Sequence, residues 1–162
     1  MLKQSQTIVD QKISSLSDTL YEMATNRTLL NATNMSDDNI SYLMLRDSVD
    51  TLKSFRLNID QSFVYDYFIY LRRCDQMIMS DTSYSANFYY ENEARSMTLS
   101  YHQWLKLMAA PHRGDFSGKI TATVSNQRMD YLMYMLSLPL GSDDPDGNAA
   151  IIIKLSGINA LF

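Results

Sequence analysis

The chain has 162 residues, 46% of them hydrophobic and 20% charged, which suits one globular domain and excludes a disordered or fibrous polymer. Its net charge is −4 and its only basic pair is Arg72-Arg73, so the basic stripe of a nucleic-acid binder is missing and no direct nucleic-acid contact is expected. A single cysteine, Cys74, excludes an internal disulfide and a thiolate metal cage, while the arginines beside it would favour a reactive thiolate in an open turn.

Residues from about Gln4 to Asn31 read as a long amphipathic helix. Ile8 or Val9, Ile13, Leu16, Leu20, Met23 and Leu30 recur at three-four spacing. That stripe is narrow, like a coiled-coil seam, and predicts a packing partner, including a twin helix in a weak homodimer. Ser36 followed by Asp37 and Asp38 predicts the start of a second helix running to about Asn58. These leading helices, residues 1–61, precede a sheet module, residues 62–162.

From Ser62 the period shortens from 3.6 to 2. Phe63 to Leu71 predicts a central strand carrying Tyr65, Tyr67 and Ile69, and Arg72 to Asp75 a turn. Gln76 to Met79 returns as a second strand. The stretch Ser80 to Ala110 is irregular and closes in a helix near Thr98 to Ala109, after which Pro111, Gly114 and Gly118 punctuate the chain. Lys119 to Val124, Asp130 to Leu138 and Ala149 to Ile153 complete the strands. The expected fold is α+β: a PAS-like, five-stranded antiparallel sheet with a long N-terminal helix, the helices covering one face.

The eleven tyrosines and eleven methionines suit an adaptable core with polar tips. His102 and His112 are the only histidines, with no metal-ligand spacing, no nucleophile elbow and no phosphate-cradling glycine loop. The loop Gly141 to Asn148 is rich in aspartate but lacks EF-hand spacing and its closing glutamate, so it reads as a hairpin connection. The chain is therefore read as non-enzymatic, without cofactor or metal.

Phe63-Val64-Tyr65-Asp66-Tyr67-Phe68-Ile69-Tyr70-Leu71, Gln76-Met77-Ile78-Met79-Ser80-Asp81, Ser100-Tyr101-His102-Gln103-Trp104-Leu105, and Tyr131 to Ser142 followed by Ala149 to Lys154 appear in the order of a Cache domain. The chain resembles the extracytoplasmic Cache sensors of bacterial receptors, most of all those preceding AraC-type DNA-binding domains. The resemblance implies a ligand sensor on the outer face of the cell membrane, tethered by flanking spans that lie outside the chain. No apolar run reaches the roughly 20 residues of a membrane span and the polar helical start is not a signal peptide; both ends are nevertheless expected to be cuts, since the chain opens directly in a helix and stops at Ser156 to Phe162, where a new element is expected to begin.

Family members that bind amino acids carry arginine two positions before a tryptophan and tyrosine directly after it. Trp104 matches the tryptophan, while His102 holds the arginine place and Leu105 the tyrosine place. Losing the guanidinium fork shifts the expected ligand from an α-amino acid to a neutral or weakly anionic small molecule. The expected pocket is bordered by His102 and Trp104, with a hydroxyl from Tyr131 or Tyr134. Those two tyrosines are three apart on a strand and point to opposite faces unless a bulge intervenes. The competing reading is a PAS-like module that binds nothing small and serves dimerisation or protein contact.

Overall fold

The computed structural model describes residues 1–162. Helix α1, Leu2–Thr25, stops at Asn26, whose backbone is extended. The Asn26 side chain then accepts the Leu29 N–H at 3.2 Å and caps α2, Arg27–Ala32. What the sequence presented as one helix to Asn31 is thus two, because asparagine offers its oxygen to the next turn. Helix α3, Tyr42–Ser54, is capped five residues after Ser36: Ser41 accepts the Met44 N–H, while Ser36 and Asn39 close a small turn. The later start places Leu45, Ser48 and Leu52 on the buried side. A 3₁₀ turn, Phe55–Asn58, finishes the helical part.

Seven antiparallel strands follow, in the order β3-β2-β1-β7-β6-β4, with β5 also on β6. They are β1 Val64–Leu71, β2 Gln76–Met79, β3 Ser83–Ser85, β4 Arg113–Phe116, β5 Ile120–Val124, β6 Gln127–Leu138 and β7 Gly147–Lys154. Two more strands form than the five expected. β3 and β4 are three and four residues long and lack apolar alternation, so the sheet recruits them through backbone pairing. β6 is long enough to hold two partners, β5 along Gln127–Tyr131 and β4 along Tyr134–Leu136. Between β1 and β7 the register shifts at Val64/Asp66. The bulge turns Tyr65 outward, 37% exposed, while Tyr67 and Ile69 of the same strand are buried.

Both faces of the sheet are covered, where only one was expected. On one face Leu16, Leu20 and Met23 of α1 and Leu52 of α3 pack against Ile69 and Ile151. The apolar seam of α1 is therefore used inside the domain over its second half, and leading helices and sheet share one core. The first turns of α1, with Leu2 and Ile8, are exposed. On the other face lies the segment containing helix α4, Ala86–Phe88, the π-helical turn Tyr89–Glu93 and helix α5, Tyr101–Ala109. Its Trp104 and Met108 close over Phe68, Met133 and Ile152. Each large apolar side chain buried this way contributes about 1.5–3 kcal/mol.

The strand β7 is buried from Gly147 to Ile153. At Gly147 a Cβ would stand 2.5 Å from the Tyr70 carbonyl oxygen, so only glycine lets β1 and β7 approach there. A short helix α6, Leu155–Asn159, ends the fold. None of the helices is long and apolar enough to cross a membrane.

Candidate functional site

A cleft of about 380 Å³ opens where β1 begins and β2 ends. The 3₁₀ turn supplies Arg56, the bulge of β1 supplies Tyr65, Asp66 and Tyr67, the end of β2 leads into Ser80 and Asp81, and β7 ends in Lys154. Arg56 Nη2 donates to Ser80 Oγ at 3.1 Å, and Lys154 Nζ donates to the Gln61 carbonyl at 3.0 Å. The Tyr67 hydroxyl donates to the Leu52 carbonyl at 2.7 Å, which fixes its ring against α3. The Tyr65 hydroxyl lies 2.9 Å from Ser125 Oγ on the β5–β6 turn.

Asp66 is the half-buried anion in this cleft, and Lys154 the half-buried cation. One of its oxygens accepts the Tyr67 N–H at 2.8 Å. Burial pushes its carboxyl up to about 6; the Tyr67 N–H opposes the rise, neighbouring Asp81 adds to it, and Arg56 opposes it. Arg56 is near enough to act through space yet forms no ion pair. The ion pairs of lysine and arginine are Lys12–Asp60, Arg72–Asp144, Arg73–Asp146 and Arg113–Asp143. None involves Asp66, Asp81, Arg56 or Lys154, so two cations and two anions face one opening without neutralising one another in contact. A second groove, of about 740 Å³ between the β5–β6 hairpin and α6, shares Tyr65 and Lys154 with the cleft.

The four residues expected to border a pocket stand outside this cleft: Trp104 and Tyr131 share the core under α5, and His102 and Tyr134 do not join them. Ser100 and Gln103 form a capping box that sets the phase of α5. That phase turns Trp104 and Met108 inward, and His102, two residues or about 200° round the helix from Trp104, outward into solvent. Trp104 is 1% exposed and packs among tyrosines, with ring centroids 5.7 Å from Tyr89 and 6.2 Å from Tyr101. Tyr131 is buried on the same side of the sheet. Tyr134 faces the leading helices and stacks on Phe116 at 4.6 Å. Aromatic rings thus fill the space under α5 where a ligand was expected.

Cys74 is buried, and burial pushes its thiol up to about 11, the opposite of a reactive thiolate. The aspartates of the loop after β6 are held by Arg72, Arg73 and Arg113. His112, also buried, has Nδ1 2.8 Å from Asp115 and Nε2 2.8 Å from the Leu107 carbonyl. The cleft residues escaped the sequence reading, although one signal was present: Asp66 is the only charge within the apolar run Phe63 to Leu71.

No protein-family model, curated protein or solved structure matches the chain. The chemistry of its own side chains is therefore what distinguishes one functional reading from another.

Proposed function

We propose that the chain is the extracytoplasmic ligand-sensing domain of a bacterial transmembrane signalling protein, a PAS-like module of the Cache kind feeding a transcriptional regulator or a sensor kinase. It binds without performing chemistry, and the ligand seats in the Arg56/Asp66 cleft and not under Trp104. The observation that carries this reading is Asp66: a half-buried carboxylate with no cation in contact, in an opening of ligand size. Supporting it, the long helix α1 shares its core with the sheet, so ligand-dependent packing of the sheet can reach that helix. A homodimer through α1 would use the exposed first turns, because Leu16, Leu20 and Met23 are already packed.

Thermal-shift screening of small polar metabolites tests the reading. A hit that raises the melting temperature of the wild type and not of Asp66→Asn supports it. Membrane tethering is checked by protease accessibility of the full-length protein in intact cells. The second reading, a module that binds no small molecule, is favoured by the filled aromatic core around Trp104. Absence of any hit from a broad library selects it.

A further inference from the structure

We propose that the cleft takes a ligand through an ammonium group seated on Asp66, with Asp81 as a neighbouring second acceptor. The inference rests on the cleft being a ligand site and adds the chemical class of what enters it. Of the four charges facing the opening, the two cations already have protein acceptors: Arg56 donates to Ser80 and Lys154 to the Gln61 carbonyl. Arg56 is moreover exposed, so water satisfies its remaining donors. Of the two anions Asp66 is the half-buried one, and the one N–H it accepts comes from the next residue of its own strand. A carboxylate taken partly out of water gains most from a charged donor in contact.

Ile59, Val64 and Tyr67 supply apolar wall for a short hydrocarbon body attached to the ammonium. The same groups govern the pH dependence. Arg56 from the 3₁₀ turn, Ser80 and Asp81 from the end of β2, Lys154 from β7, and Tyr65 and Tyr67 from β1 face the opening, and Tyr89 of the π-helical turn feels Asp66 from the aromatic side. Burial and Asp81 hold Asp66 protonated in mild acid, with a midpoint of about 6. An alkylammonium keeps its charge throughout that range, so the competition at Asp66 is between the ligand and a proton.

The test is an NMR titration of the ¹⁵N-labelled chain with butylammonium and, separately, butyrate, at equal ionic strength. The Tyr67 amide, bonded to Asp66, is the reporter. Expected for the wild type is a saturable shift of that amide with butylammonium at neutral pH, weakened about tenfold one pH unit below the Asp66 midpoint. The shift is expected to vanish in Asp66→Asn and to persist in Arg56→Gln. The pH dependence of the wild type carries the test without any substitution. Saturation by butyrate, or a butylammonium shift retained in Asp66→Asn, overturns the ammonium assignment while leaving a ligand cleft in place. No saturable shift with either probe overturns both the assignment and the cleft.

Discussion

Lys12 of the leading helix pairs with Asp60, four residues ahead of β1, and its ammonium lies 5.7 Å from the centre of the Phe63 ring. This contact joins α1 to the segment whose neighbours Ile59 and Gln61 line the cleft. Lys12 and then Ser62 hold the Asp60 carboxyl down at about 2, against an ordinary 3.8. A carboxyl lowered by folding stabilises the native state above the ordinary value and loses that contribution as pH falls toward 2. Both partners are partly exposed, so solvent screens the pair and Asp60→Asn should cost about 1 kcal/mol or less at neutral pH. Urea unfolding at descending pH should show the gap to the wild type closing between about pH 4 and pH 2.

Asp66 has the opposite sign. With its folded value raised to about 6, the native state binds a proton more readily than the unfolded chain, and stability falls as pH rises from the ordinary carboxyl range through 6. Asp66→Asn keeps an acceptor for the Tyr67 N–H and removes the half-buried charge. It should stabilise the domain by about 1–3 kcal/mol above pH 7, with no gain below about pH 4. Chemical denaturation at both pH values decides this.

The seam of α1 is a core element, and substitutions should say so. Leu20 is 1% exposed and Leu16 3%. Leu20→Ala should cost about 2–5 kcal/mol, and the Leu16→Asp/Leu20→Asp double substitution should abolish cooperative unfolding. A double variant that stays folded and merely changes sedimentation would place the seam at a subunit interface instead.

Asn148 pins α5 to the sheet. Its Nδ2 donates to the carbonyls of Met108 and Ala110 at 2.6 and 2.8 Å, while its Oδ1 accepts from Ser137 at 2.7 Å. Asn148→Ala leaves these groups without partners and should cost about 2–4 kcal/mol. His102→Ala, on the outer side of the same helix, should change stability by less than about 0.5 kcal/mol. Trp104 fluorescence follows both.

Cys74 should react with a thiol reagent only at the rate of unfolding, because the thiol is 2% exposed and its ionisation is pushed up to about 11. Labelling rates in native and denaturing buffer give the comparison.

The fold was legible where periodicity was strong. β1 and β5 lie where alternation placed them, and β2, β6 and β7 where short apolar runs between turns did, because a strand with a buried face cannot slip by one residue without reversing every side chain. β3 and β4 were not, since Ser83-Tyr84-Ser85 and Arg113-Gly114-Asp115-Phe116 have no apolar alternation and depend on their neighbours. Site residues were harder to read. Trp104 was singled out by its match to the family's tryptophan, yet its place is set by the Ser100 cap four residues ahead of it. Arg56, Asp66, Ser80 and Lys154 meet only after a 3₁₀ turn, a bulge and two strand ends come together, and no local spacing encodes that meeting.

Alternate residues of β7 belong to different interiors: Ala149, Ile151 and Ile153 to the side of the leading helices, Ala150 and Ile152 to the aromatic side. The strand is thus a partition with no solvent on either surface. Any displacement of it perpendicular to the sheet takes volume from one compartment and hands it to the other, and close-packed interiors resist such an exchange except as a joint rearrangement. Lys154, at the end of this partition, stands in the cleft wall. A molecule entering there would push on a strand that both compartments feel at once.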